Sequence, residues 1–371
     1  MSKPRVFVHI VTWNSTRYLR RCAESVLQQA EYHFGENLAL HITDNDSSDE
    51  VMTHFEELSS RGVTWSRNSE NLGFCAAHNQ GVYRAMQGGY DYILILNPDV
   101  VLEPNCIARL VTSCESVDEI GCATPKLLRA DRELNPIHPP HIDAAGMQLF
   151  PSLRHFDRGS GEIDSGQYDT PQYVFGGTGA CLLLSLATIG SLTLPRVGEG
   201  RGMFLVYPEL SRAAEPRVQI FDEAFFAYRE DADLAWRMRL SGWRCVYVPS
   251  AVGYHVRVVL PENRSEVSPR LNQLSVKNRF LLQLNNWNFS VGEGTLSKGI
   301  IIRNLLVVAG VLVKEWRSIP GLFQALLLTP RAIRNRLILR ARRTQHDPEL
   351  RYMTLTQLND DSNAFAKVDK M

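Results

Sequence analysis

"YDYILILNPDVVLEP", residues 90–104, is an apolar run that breaks at Asn97-Pro98-Asp99 and resumes at Val100, Val101 and Leu102. An unbroken apolar run bounded by turn residues reads as a strand buried on both faces. Pro98 fixes its own φ and lacks a backbone donor, so the Asp99 carboxylate leaves a rigid strand end in a defined direction. Asn-Pro-Asp is equally an ordinary turn sequence, and alone it assigns nothing.

Working outward, "RVFVHIVTW" (5–13) is a second strand of the same kind. Leu19, Cys22, Ala23, Val26 and Leu27 then recur at helical spacing, with Ser15 placed as the N-cap. "LALHITDNDSSD" (38–49) is a strand ending in a polar turn, followed by a helix over 50–60, a short strand at 62–68 and a helix over 75–87. Strands alternating with helices predict an α/β fold with a mostly parallel central sheet and flanking helices. Residues 130–172, rich in Pro, Gly, His and Asp, read as a long loop or short hairpins, and such loops are uncommon unless functional. Strand character returns at 174–185, and 191–218 reads as another loop or insertion. Residues 221–256 give a loop, a helix stopped by Gly242, and a short strand closed by His255. From 270 to 343 the pattern is helical, with a polar tail over 344–371 and no internal repeat.

The 371 residues exceed what one core usually holds, which predicts a large domain with an appendage, or two domains. A hydrophobic content of 44% with 22% charged residues is that of a folded globule. The net charge of 0 hides an asymmetry: residues 296–343 carry +9 and residues 1–295 carry −7. Seven scattered cysteines, without a C-x-x-C pair, point to neither a disulfide framework nor a zinc site, and fit a reducing cytosol. The N-terminal stretch lacks the apolar region of a secretory signal. Neither G-x-G-x-x-G nor a P-loop occurs, which removes support for hydride transfer and P-loop phosphoryl transfer.

Ligands of parallel α/β sheets bind beyond the carboxyl ends of the strands. Three polar clusters fall there: Thr12-Trp13-Asn14, Asp44-Asn45-Asp46, and Asn97 with Asp99. Mg²⁺ and Mn²⁺ prefer carboxylate oxygens and bridge to nucleotide phosphates, the chemistry Asp99 suits. Glu230, Asp231 and Asp233 would stabilise a helix start through its dipole, yet three acids in four residues repel one another more than a cap requires. A carboxylate there can also accept a proton. His255 would add a nitrogen ligand for a divalent ion. Gly73 permits close backbone approach and Asn79 could offer an amide to a ligand; a loop glycine and a helix-surface amide explain them as well.

Seven segments in order, "IVTWN", "TDNDSSD", "NLGFCAAHNQG", "YILILNPDVVLEP", "FGGTGACLLL", "FFAYREDADLAWRMRLSGWRCVYVP" and "YHV", resemble the inverting family 2 glycosyltransferases, especially the rhamnosyltransferase-like branch. The resemblance spans residues 5–257. It implies a GT-A fold over 1–270, with a nucleotide-sugar half (1–125) and an acceptor half (126–270), and a divalent cation, Mg²⁺ or Mn²⁺. By position, Thr12, Asn14, Asp44, Gly73, Asn79, Asn97 and Asp99 would bind the nucleotide sugar. Asp99 and His255 would hold the metal, and Asp231, with Glu230 beside it, would be the general base. Gly176 and Gly177 would lie under the acceptor, and Trp236 would form its wall. Asn97 departs from the family's Asp-x-Asp and removes one negative charge. The implied reaction is a single in-line displacement with inversion. It moves L-rhamnose or another hexose from a dTDP- or UDP-sugar to a saccharide or lipid-linked acceptor in bacterial surface polysaccharide synthesis. The rival readings are a non-catalytic sugar-nucleotide-binding or scaffold partner, and a nucleotidyltransferase, whose Gly-rich loop after the first strand is lacking here.

Residues 271–343 read as basic amphipathic helices suited to an anionic membrane surface, placing the protein in the cytoplasm and peripherally on the inner membrane. "GIIIRNLLVVAGVLV" (299–313) is interrupted by Arg303 and Asn304 and is too short to span a bilayer. The same helices could pack on the catalytic domain or on a second copy as a homodimer. Nucleic acid is not expected, because no aromatic interleaving accompanies the arginines.

Overall fold

The first half of the chain follows the expected alternation. In the computed structural model, which describes residues 3–195, 201–257, 268–287 and 294–346, β1 (Val6–Thr12) leads into α1 (Thr16–Leu27) and β2 (Leu38–Asp44) into α2 (Met52–Ser60). β3 (Thr64–Arg67), α3 (Gly73–Gln87) and β4 (Tyr92–Leu96) follow. These strands pair in parallel in the order β4-β1-β2-β3. All five residues of β4 are buried, as apolar side chains on both alternations require of a sheet covered on both faces. Ser15 does not cap α1: its hydroxyl donates to Trp13 O, and Asp49 Oδ2 takes the Thr16 N–H at 2.9 Å.

The break at Asn97-Pro98-Asp99 is a change of partner. β5 (Val100–Leu102) leaves the β4 ladder and, after α4 (Cys106–Glu115), the chain builds the second half: β6 (Ile120–Arg129), β7 (Ile142–Ala144), β8 (Met147–Leu149), β9 (His155–Asp157), β10 (Gln172–Val174) and β11 (Cys181–Ser185). Three short helices, α5 (Ile189–Leu192), α6 (Arg201–Val206) and α7 (Glu209–Arg212), precede α8 (Glu230–Leu240) and β12 (Arg244–His255). β5 pairs antiparallel with the end of β12, setting Val100 opposite His255.

The complete path is β10-β12-β6-β11-β4-β1-β2-β3, and β8–β9 form a separate hairpin. β11 runs antiparallel to both β4 and β6, so the sheet is mixed in this half. The stretch expected as one strand at 174–185 is two, β10 and β11, separated by residues 175–180. The short final strand is twelve residues long, with an irregularity between Val248 and Val252.

The C-terminal helices are α9 (Pro269–Asn286), α10 (Gly294–Val313) and α11 (Ile319–His346). The boundary expected at 270 needs correction. Leu274, Leu281 and Leu282 of α9 and Leu328 and Ala332 of α11 share a core with Trp236, Phe221 and Phe225. Arg331, expected on a basic face, points inward and pairs with Asp222 Oδ1 at 2.5 Å. Leu305, Leu306, Phe323 and Leu326 instead face outward, each more than half exposed. Among the described residues no helix is long and apolar enough to cross a membrane. All seven cysteines are buried and unpaired.

Candidate active site

The first polar cluster is built by the β1–β2 register, which sets Thr12 opposite Asp44. Asp44 is fully buried; its Oδ1 accepts the Ser47 N–H at 3.1 Å, and Oδ2 lies 3.4 Å from Arg67 Nε at the end of β3. Asn14, at φ 53°, accepts the Ser48 N–H at 2.8 Å and donates its own N–H to Ser47 Oγ, tying the two strand-end loops together. Trp13 stands beside them 53% exposed, a flat apolar ring at the rim of an acidic edge. Thr12 Oγ1 is buried without a hydrogen-bond partner. Such a group costs roughly 1–3 kcal/mol, so its persistence at a strand end marks a place where a ligand hydroxyl or phosphate could bond.

The β5–β12 pairing brings Asp99 to His255, with Oδ1 3.5 Å from Nε2. On the other side of the ring, Nδ1 lies 2.7 Å from Asp143 Oδ2. Asp143 also meets Arg257, which extends to Asp157 at 2.6 Å. Burial alone would lower the pKa of His255, but the carboxylates of Asp99 and Asp143 outweigh it and raise it to about 10. A carboxylate on Nδ1 fixes the ring and directs Nε2 outward, the arrangement that orients metal-bound histidines. One carboxylate and one imidazole are the candidate donors, and no cluster of three His, Cys, Asp or Glu occurs among the described residues. That set fits Mg²⁺ or Mn²⁺, which bind through one or two protein ligands and fill their remaining positions with phosphate oxygens and water.

The third cluster opens α8. Asp231 Oδ2 accepts the Gly179 N–H at 3.2 Å, and the neighbouring Ala180 carbonyl accepts the Asn97 N–H at 2.9 Å. Two residues therefore join the acid-rich helix start to the end of β4. Burial raises the pKa of Asp231, while the N–H groups of Gly179 and Ala232 draw it back. Glu230 is raised further, by burial first and by the charge of Asp231 second, and its Oε2 has no hydrogen-bond partner. Both shifts favour the protonated carboxyl, more strongly at Glu230, where the charge of Asp231 adds to burial, than at Asp231, where N–H groups oppose it. Asp157, raised to about 6 chiefly by burial, also feels the charge of Asp231. Burial and the charges of both Glu230 and Asp99 push up the Tyr228 phenol, whose residue is 46% exposed.

Five expected ligand contacts do not fit this geometry. Asn79 is fully buried: its amide donates to Phe221 O at 2.9 Å and its oxygen accepts the N–H groups of Ile220 and Phe221, leaving nothing for a nucleotide. Gly73, at φ +78°, serves close approach to protein, since a Cβ there would stand 2.6 Å from Phe226 O. Gly176 and Gly177 are buried, one against Ala235 and Met147, the other against Thr124 and Leu182, so neither underlies an acceptor. Trp236 is 3% exposed with its ring edge-on to Phe175, inside the core rather than on a wall. In each case the segment that packs against the residue had no signature in the motif itself. Tyr228, Asp143, Asp157 and Arg257 join the site without having been singled out. The one signal for Asp143 and Asp157 is the unusual length of the 130–172 segment.

Residues 7–161 match the family model described as glycosyl transferase family 2. That match covers 155 of the chain's 371 residues. Among solved structures, GalNAc-T7 with UDP, GalNAc and Mn²⁺ is similar at 15% identity and a TM-score of 0.55, over 77% of this chain and 48% of that one. This chain thus spans about half the length of that neighbour, and the shared architecture is the GT-A fold. The mannosyltransferase PcManGT from Pyrobaculum calidifontis, in complex with GDP-Man and Mn²⁺, aligns over 94% of this chain and 77% of its own at 13% identity and a TM-score of 0.48. S. aureus TarS 1–349 in complex with UDP-GlcNAc aligns over 98% and 92% at 12% identity and a TM-score of 0.47. No curated protein matches in sequence.

Proposed function

We propose that the protein is an inverting glycosyltransferase that moves a sugar, L-rhamnose or another hexose, from a dTDP- or UDP-sugar to a saccharide or lipid-linked acceptor in bacterial surface polysaccharide synthesis. One observation supports the reading: Asp231 is joined through Gly179-Ala180 to Asn97 at the end of β4, two residues before Asp99, and Tyr228 lies within electrostatic reach of both Glu230 and Asp99. The nucleotide lies across the ends of β1 and β2, against Thr12, Asn14 and Asp44, with Trp13 as a platform for the base. Asp99 and His255 would hold Mg²⁺ or Mn²⁺, which would supply positive charge to offset that of the diphosphate. Asp231 removes the proton of the acceptor hydroxyl as that oxygen attacks the anomeric carbon and the nucleoside diphosphate departs from the opposite face. At Glu230 beside it, burial and the charge of Asp231 both favour the protonated form.

Thermal shift with dTDP-rhamnose, UDP-glucose, UDP-N-acetylglucosamine and GDP-mannose, with and without Mn²⁺, tests donor binding, because a ligand of the folded state raises stability by RT ln(1 + [L]/Kd). A cation-dependent shift is expected with at least one of them. No shift with any would favour the scaffold reading.

The outward face of α10 and α11 supports peripheral attachment to the cytoplasmic face of the inner membrane. Exposed Leu305, Leu306, Phe323 and Leu326 lie on helices that expose Lys298 and Arg340, and the connection between them exposes Lys314 and Arg317, a pairing suited to anionic lipid. Replacing the four apolar residues by Ser should release the protein from phosphatidylglycerol vesicles. A doubled mass in solution, lost in the same variant, would assign the face to a homodimer instead.

A further inference from the structure

The turn that delivers Glu230 and Asp231 is held by α9, which lies outside both the matched family segment and the acceptor half expected from the sequence. Phe226, Tyr228 and Arg229 have φ values of 66°, 71° and 71°. In non-glycine residues such conformations cost about 1–3 kcal/mol each and persist only where the surroundings fix them. Carbonyl by carbonyl, the fixing groups are plain. Ala224 O accepts from Lys277 Nζ at 2.6 Å and Phe225 O from the same ammonium at 3.2 Å. Phe226 O accepts the Cys75 N–H at 3.1 Å, in the space that Gly73 leaves open. The Asn278 amide then donates to Phe225 O at 3.0 Å, Ala227 O at 2.8 Å and Tyr228 O at 2.7 Å. Arg229 O accepts the Asp233 N–H and so begins the α8 ladder.

The Ala227 and Tyr228 carbonyls therefore rest on one side chain, itself fully buried, where water has no access to replace it. Removing its two N–H groups would strand those carbonyls and leave the strain of the turn unopposed. Lys277 acts further back: besides Ala224 and Phe225 it bonds the Tyr207 hydroxyl, inside the core.

We propose that Asn278 is a positioning residue of the transfer reaction: its amide fixes the 226–229 turn and thereby the carboxylates of Glu230 and Asp231 and the ring of Tyr228. The inference rests on the reading of Asp231 as base. Its test uses the full chain and follows hydrolysis of whichever of the four nucleotide sugars above gives the largest thermal shift with Mn²⁺, water serving as acceptor. Asn278→Ala and the near-isosteric Asn278→Asp should lower kcat about 100-fold while KM and nucleoside diphosphate affinity stay the same, since an ångström of misplacement suffices. Lys277→Met should lower the melting temperature and leave kcat within about threefold of the original.

A folded Asn278→Ala with unchanged kcat overturns the proposal, as does an equal fall of kcat in Lys277→Met, which would make α9 a general support. Should the Ala and Asp variants fail to fold, Asn278→Gln decides. Its amide sits on a longer arm, so kcat should fall about tenfold at constant KM, and an unchanged kcat overturns the proposal. Hydrogen exchange over residues 224–231 needs no substrate and should quicken in Asn278→Gln; exchange at the original rate also overturns it. Failure of the base reading shows separately, as retained turnover in Asp231→Asn.

Discussion

The carboxyl ends of β1 and β2 and the start of α8 both gather acids at the cleft, but they are held by different means. Around Asp44 each supporting group is close in sequence: Ser47, Asn14 and Arg67 answer one another within about fifty residues, across neighbouring parallel strands. Around Asp231 the supports are Gly179, fifty-two residues earlier, and Asn278 of α9, far later. A nucleotide site can be assembled from local loops on a rigid sheet edge. A strained turn in front of a proton acceptor needs clamps from distant parts of the chain, because its own residues disfavour the conformation.

The largest expected effect separates the two regions by kinetics. Asp231→Asn should reduce turnover about 1,000-fold with nucleotide affinity nearly intact, whereas Asp44→Asn should weaken binding of dTDP or UDP about tenfold and spare kcat. Steady-state rates and calorimetric titration check both, and a variant of Asp231 keeping a tenth of the original turnover removes it as the base. Next in size is the buried ion pair between Arg331 of α11 and Asp222. Arg331→Met leaves Asp222 charged and buried, which should cost about 3–5 kcal/mol in denaturant unfolding.

A smaller effect belongs to the nucleotide half. His41 and His78 are buried and held neutral, each with its pKa lowered to about 3 by burial, with Arg84 adding to the effect at His41; His9, between them, is lowered as well by burial and its histidine neighbours. Below about pH 6.5 the unfolded chain takes up protons that the folded chain refuses, so stability is full above that pH and is lost as pH falls towards 3. The slope should reach roughly 1.4 kcal/mol per pH unit for each histidine. Equal urea midpoints at pH 7.5 and 5.0 would contradict it. Smallest of all, Arg340→Gln on the exposed side of α11 should change stability by less than about 0.5 kcal/mol, although it is the same residue type on the same helix as Arg331.

The opening stretch shows how far the sequence could be read. Its apolar run specified a buried strand, and Asn97-Pro98-Asp99 marked where that strand must end. That Val100–Leu102 continue as a strand on another partner depended on β12, a hundred and fifty residues away. Likewise Asp99, His255 and Asp231 carry chemistry recognisable from residue type and order, while Asn79 and Trp236 have equally suggestive identities and are consumed by packing. The basic C-terminal stretch divides the same way: Arg331 turns inward to Asp222 and Arg340 outward, although composition treats them alike.

By itself the sequence determined the α/β plan, the strand ends bearing acids and the acid-rich start of α8, because hydrophobic period and turn chemistry act over a few residues. Tertiary structure alone decided which polar groups face the cleft and which are satisfied inside the protein, and it recruited Asp143, Tyr228 and Asn278. Those outcomes depend on which distant segment arrives to bury or bond each group, and a desolvated side chain takes its properties from that neighbour rather than from its own stretch of chain.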